Sequence, residues 1–260
     1  MKEKVDLLIF IGQSNMQGST GEPCTFGKVE NALEYRYLSD SFVELENPVG
    51  EDIGDKLLLK SAKGNGSLIP PFCKAYMENS LKKVVAIHTA KGDSSIIEWQ
   101  KGTERFAAMM EKIKKGKAKT LESFDIDKIF AVWLQGESDA LKVTPAEDYL
   151  KMLTNIKNEL KAEIGIDRFG IIRVGRFAEF AGWIKLPVKE KRKADTAIRK
   201  VQDKAARVDS DFAILTRITK KLSVTKKYLN PKEYGPHYNN DGMKIIGSLA
   251  GKKLAKIRNK

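Results

Sequence analysis

The chain has 260 residues, 42% apolar and 31% charged, enough to bury a sizeable core and too polar for a membrane-spanning protein. Its formal charge of +13 is spread along the sequence without interleaved aromatics or a recognised nucleic-acid motif, so a solvated basic surface is expected rather than a nucleic-acid partner. No run approaches the roughly 20 apolar residues that cross a bilayer, the N-terminus lacks a secretory h-region, and Cys24 and Cys73 follow no paired or metal-ligand spacing, so the expectation is a cytoplasmic protein with free thiols and no membrane partner.

The first apolar run, "VDLLIFI" (5–11), leads straight into "IGQSNMQG" (11–18), where Ser14 stands between two amides, Gln13 and Asn15. Two readings stand here: a turn whose small polar residues cap a helix, or a nucleophile at the end of a strand. Residues 19–75 form a long excursion rich in Gly, Pro, Asn and Ser, placed to wall a site at the carboxyl end of that strand. A second run, "VVAIHT" (84–89), is followed by "KGDSS" (91–95), and a third, "IFAVWL" (129–134), by "QGESD" (135–139). Helical spacing marks 146–163. Then come the run "FGIIRVG" (169–175), a helix over 194–207, the run "FAILT" (212–216), and a last helix over 241–257 behind a cap at Asn240 or Asp241.

Continuous apolar runs of strand length are the mark of strands buried on both faces of a parallel sheet. Alternation of five such runs with helices predicts one α/β domain over 1–260, a doubly wound three-layer α/β/α sandwich on a mainly parallel five-stranded sheet. The polar, glycine-bearing segments after the first three runs then emerge at one edge.

Only two histidines are present. His88 lies inside an apolar run and reads as a core histidine. His237 stands in the loop "YGPHYNNDG" ahead of the last helix, where a general base can be aimed at a serine nucleophile such as Ser14. Backbone N–H groups at Ser14 and Gly92 would face the oxygen on which charge develops, with glycine at 92 permitting close approach. Trp133 reads as core, and Trp99 is open between core and sugar stacking. Arg199 and Gln202, three apart on one helix face, read as ties to a neighbouring loop. With two histidines and no HExxH or CxxC spacing, no metal and no cofactor are expected.

The set "IGQSNMQG", "AKGDSSIIEW", "VWLQGESDA", "AIRKVQ" and "HYNNDGMKIIG", in this order, resembles the SGNH (GDSL-like) hydrolases, specifically the branch of sialate O-acetylesterases and family 6 carbohydrate esterases such as acetylxylan esterases. The resemblance covers nearly the whole chain. It implies a flavodoxin-like sandwich and a metal-free serine esterase that removes O-acetyl groups from sugars or oligosaccharides through an acyl-enzyme. Ser14 matches the nucleophile, His237 the base, Gly92 the oxyanion-hole glycine, and Gln135 the third donor, an asparagine in other branches. Gln13, Asn15, Asp93 and Trp99 are the candidate substrate contacts. Asp93 stands where many relatives carry a second glycine, and Tyr234 where much of the superfamily carries the triad aspartate. Glu137 is the natural substitute for that acid, Glu233 the second, and a Ser14–His237 dyad the third. The competing functions are an esterase or thioesterase on another small acyl substrate, and a catalytically weak carbohydrate-binding relative. The sugar and the oligomeric state are left open.

Overall fold

All five predicted runs are strands in the computed structural model, which describes residues 2–62, 65–181, 185–230 and 237–260. In chain order the strands are β1 (Glu3–Gly12), β2 (Val29–Arg36), β3 (Ser41–Leu45), β4 (Lys83–Ala90), β5 (Phe124–Leu134), β6 (Arg168–Ile172) and β7 (Phe212–Thr216). They form one sheet in the order β3-β2-β4-β1-β5-β6-β7, parallel throughout except for the β2–β3 pair.

The sheet therefore has seven strands rather than the expected five, and the excursion over 19–75 supplies the two extra. β2, "VENALEYR", mixes buried and exposed positions without regular alternation and carries charge, so it lacks the uninterrupted apolar run of an inner strand. Its Glu34 is nevertheless buried. The side chain accepts the Gly50 N–H at 2.7 Å and pairs with Arg36 at 3.0 Å. One partner, Arg36, lies two residues on in the same strand; the other, Gly50, comes from the loop beyond β3, and together they permit the burial.

The helices are α1 (Ser14–Gln17), α2 (Ile69–Ser80), α3 (Glu104–Ser123), α4 (Glu137–Leu141), α5 (Ala146–Ile164), α6 (Val188–Val208), α7 (Thr219–Leu222) and α8 (Asn240–Arg258). On one face of the sheet α2 packs its Phe72 and Tyr76 against Phe10 and Phe130, and α8 lies on α2 so closely that a Cβ at Gly251 would meet the Phe72 carbonyl oxygen at 2.2 Å. On the other face α3 meets Ile87 of β4, and Tyr149 of α5 bonds Trp133 of β5 and Gln202 of α6. These are the three expected layers. The cap of α8 is Asn239, one residue before the predicted pair, its side chain accepting the Gly242 N–H at 3.0 Å.

Cys24 and Cys73 are unbridged. Among the described residues no helix is long and apolar enough to cross a membrane.

One consequence of the sheet order positions the site. β1 runs between β4 and β5, and its last residue, Gly12, is in register with both Ala90 and Leu134. The segments that follow these three strands thus leave side by side at one edge, as the alternation of runs required.

Candidate active site

β1 stops at Gly12 because nothing larger fits: a Cβ there would lie 2.0 Å from the Leu134 carbonyl oxygen. Gln13 follows in extended conformation, and Ser14 opens the single turn of α1. Ser14 Oγ is 2.8 Å from His237 Nε2. With the imidazole proton on Nδ1, Nε2 accepts the serine hydroxyl proton, the arrangement a general base requires. The Phe177 ring stands edge-on to the imidazole at 5.3 Å between centroids.

The pair lies in a cleft of about 440 Å³ bordered by Gln13, Ser14, Ser19, Lys91, Gly92, Asp93, Ser138, Leu141, Phe177 and His237. That volume suits a small polar group rather than a polymer enclosed along its length. A groove of about 870 Å³ lies apart from it along α6, rimmed by Lys189, Arg192, Lys193, Lys200, Lys204 and Arg207, and contains none of the candidate residues. It gathers part of the basic excess.

The two amides that flank Ser14 lock the nucleophile turn to the turn after β5. Gln13 Oε1 accepts the N–H groups of Gly136 and Ser138 at 3.3 and 3.1 Å, and its Nε2 donates to Ser138 Oγ at 3.2 Å. Asn15 Nδ2 donates to Glu137 Oε1 at 2.9 Å, while Asn15 Oδ1 accepts the Tyr238 N–H at 3.4 Å. Each amide donates from its nitrogen and accepts at a separate oxygen, so one side chain joins two groups at once, which an ionised carboxylate, an acceptor only, does not. Gln13 borders the cleft; Asn15 is buried beneath it, so its expected contact with substrate is replaced by this bridging role.

Glu137 is wholly enclosed. Burial raises its carboxyl above the ordinary value of 4.5, opposed by the Asn15 bond and by the charge of His237. Its bond is to Asn15, and its second oxygen, Oε2, has no hydrogen-bond partner among the described residues. Glu137 therefore meets the His237 loop through Asn15 rather than by gripping the imidazole. The other candidate acid, Glu233, and Tyr234 lie outside the described residues.

Two expected roles do not survive the geometry. Gln135 is fully buried, and its Nε2 hydrogens go to the Ser94 carbonyl oxygen at 2.9 Å and to Asp139, so neither is left for an oxyanion. Trp99 is likewise at 0% exposure, edge-on to Trp133 with Nε1 donating to Ser94 Oγ, so it stacks on the core and not on a sugar. Trp133 is core, as its apolar run indicates. Asp93, by contrast, is exposed on the cleft rim with φ of 58°.

Gly92 borders the cleft beside Ser14, but its N–H donates to Gln17 Oε1 at 2.7 Å. Among the described residues no acceptor is paired with the Ser14 N–H.

Sequence reasoning missed three residues that shape the site: Gln17, Phe177 and Asp195. The Asp195 carboxylate gathers the N–H groups of Phe177, Ala178 and Glu179 at 3.1, 3.0 and 3.1 Å, which fixes the loop carrying Phe177. Burial still raises its carboxyl, against the pull of those bonds. Nothing in "KADTAIRK" marks Asp195, because its partners lie in another loop. Arg199 and Gln202 tie α6 to the same region, donating to the Gly175 carbonyl oxygen and accepting the Val174 N–H. His88 is a core residue pushed down to about 3 by burial.

The model of the family described as "Carbohydrate esterase, sialic acid-specific acetylesterase" matches residues 4–254. No curated protein sequence matches the chain. Among solved structures, a protein from Arabidopsis thaliana superposes with a TM-score of 0.69 at 17% identity, covering 98% of this chain and 99% of its own. NanS superposes at 0.66 with 9% identity over 100% and 99%. A carbohydrate acetylesterase from Xanthomonas citri superposes at 0.56 with 15% identity, over 96% of this chain and 57% of its own. At these identities the likeness is one of fold.

Proposed function

The chain belongs to the sialic acid-specific acetylesterase family of carbohydrate esterases, and from that premise we propose that it removes O-acetyl groups from sugars by a serine acyl-enzyme mechanism. The observation that carries this reading is the 2.8 Å contact of Ser14 Oγ with His237 Nε2 at the open cleft. His237 takes the Ser14 proton as Oγ attacks the acetyl carbonyl carbon, and negative charge passes to the carbonyl oxygen. The Ser14 N–H stabilises that charge, joined by the Gly92 N–H; each such donor is worth roughly 3 kcal/mol in the transition state. Collapse breaks the ester bond, and the departing sugar oxygen takes the proton from His237, leaving acetyl-Ser14. Water, deprotonated by His237, attacks the acyl carbon; acetate leaves and Ser14 regains its proton.

When ionised, Glu137 favours the transient imidazolium, and the lowering of its own carboxyl by the charge of His237 is the reciprocal of that effect. Phe177 supports the imidazole plane from the side. The polar rim of Lys91 and Asp93 suits sugar hydroxyls better than an acyl chain.

The test is direct. A fluorophosphonate should label Ser14, and p-nitrophenyl acetate turnover should vanish in Ser14→Ala and His237→Ala. Labelling elsewhere with activity retained in Ser14→Ala would refute the mechanism. Acetate release across acetylated xylo-oligosaccharides, O-acetyl sialic acids and acetylated glucose then identifies the sugar.

A further inference from the structure

The Gly92 N–H, one of the two backbone donors that an oxyanion at Ser14 would use, is already engaged. Gln17 Oε1 accepts it at 2.7 Å, and Gln17 Nε2 donates to the Lys60 carbonyl oxygen at 2.7 Å. The amide can be oriented in one way only, since a backbone N–H only donates and a carbonyl oxygen only accepts. Gln17 lies three residues after Ser14, on the same side of the turn. A Cβ on Gly92 would sit 3.0 Å from Gln17 Oε1 and 3.6 Å from Ser14 Cβ, so the glutamine oxygen and the nucleophile residue both border the Gly92 α-carbon. The Gln17 backbone is pinned, its N–H donating to the Gln13 carbonyl at 2.7 Å and its own carbonyl accepting from Ser61 Oγ at 2.9 Å. Only the side chain is left to move.

We propose that Gln17 is a selectivity residue: its side-chain oxygen caps the Gly92 N–H in the resting enzyme, and the reacting acyl oxygen must displace it. The inference rests on the Ser14–His237 reading. An ester carbonyl is a weaker acceptor than an amide carbonyl and leaves the cap in place. A developing oxyanion, whose hydrogen bonds are roughly twice as strong as neutral ones, displaces it. The cap thus lowers the yield of the Gly92 donor for every substrate. A sugar that contacts Lys91 and Asp93 brings binding energy to the same turn, 91–93, and offsets the displacement; a small acetate without a sugar does not. The expected result is preference for glycosyl acetates over simple acetates.

Gln17→Met and Gln17→Ala, each checked by thermal melting, test this with three readouts. Hydrogen exchange at the Gly92 amide should accelerate. Methylboronic acid, which bonds Ser14 Oγ to give an anionic tetrahedral adduct, should bind about three- to tenfold tighter, the size of one neutral hydrogen bond. Turnover of p-nitrophenyl acetate should rise about as much, while turnover of an acetylated sugar rises less. If turnover of p-nitrophenyl acetate falls and boronate binding weakens in variants that melt like wild type, Gln17 braces the donor instead, and the proposal is overturned. Where the variants melt far below wild type, the Gln17 side-chain amide resonances of wild type decide. They should shift when methylboronic acid binds, and unchanged resonances overturn the proposal. Failure of the fluorophosphonate to label Ser14 in wild type defeats the catalytic reading itself, whereas labelling with unchanged or slower turnover in Gln17→Met defeats only the role of Gln17.

Discussion

Replacing Glu137 with glutamine separates two ways a buried acid can serve a catalytic histidine. In a triad whose carboxylate grips the imidazole, carboxylate-to-amide substitution selects the wrong tautomer and lowers turnover by about 10⁴-fold. Here the Glu137 carboxylate bonds Asn15, and Asn15 in turn holds the N–H of Tyr238, next to His237. The tautomer is then not set by Glu137 directly, and what glutamine removes is a buried acid whose charge couples to that of His237. A loss of about 10- to 100-fold in kcat is expected, corresponding to roughly 1.4 to 2.8 kcal/mol. Stability should change in a pH-dependent way. Burial raises the folded carboxyl above 4.5, so between 4.5 and that raised value the native state holds more protons than the unfolded chain. Wild-type stability therefore falls as pH rises through this window, with the full cost present above it and none below about 4.5. The variant lacks that slope, but its new NH₂ takes the place of an oxygen without a partner among the described residues and costs about 1 to 3 kcal/mol at every pH. Urea titrations from pH 4 to 8, with p-nitrophenyl acetate kinetics at each pH, read both effects. A 10⁴-fold loss would mean that Glu137 grips the imidazole during turnover and that the Asn15 link has been misread. A loss within twofold would remove Glu137 from the mechanism.

Two further outcomes follow from the packing. Asp195→Asn turns an NH₂ toward one of the three N–H groups that the carboxylate now gathers, so unfolding should be easier by about 2 kcal/mol. Because the loop carries Phe177 against His237, kcat should fall several-fold with KM little changed; equal urea midpoints and equal kcat would show that the loop is held by other contacts. Gly12→Ala places a methyl 2.0 Å from a backbone oxygen on the neighbouring strand, with no flexible side chain to yield. It should fail to accumulate as folded protein, and a variant with wild-type melting would show that the strand ends can part.

The sequence by itself determined the elements whose physics is local. The inner strands β1, β4, β5 and β6 are covered on both faces, and burial on both faces writes an unbroken apolar run into the chain; the edge strand β7 carries the same kind of run, half-buried. Their alternation with helices then brings the segments after β1, β4 and β5 to one edge, which is why Ser14, Gly92 and the "QGESD" turn were legible as a group, while His237 stands out as the one of two histidines outside an apolar run. Tertiary structure decided everything that depends on a partner far away in sequence. β2 tolerates buried Glu34 because, besides its neighbour Arg36, the Gly50 N–H from beyond β3 meets it. Gln135 and Trp99 carry side chains suited to a site, yet Ser94, Asp139 and Trp133 claim them for the interior. Asn15 finds Glu137 across 122 positions, and Gln17 finds Gly92 across 75, once Gly12 is in register with Leu134 and Ala90. A polar side chain reveals in sequence what it can donate or accept; only the register of the sheet fixes which group takes the bond.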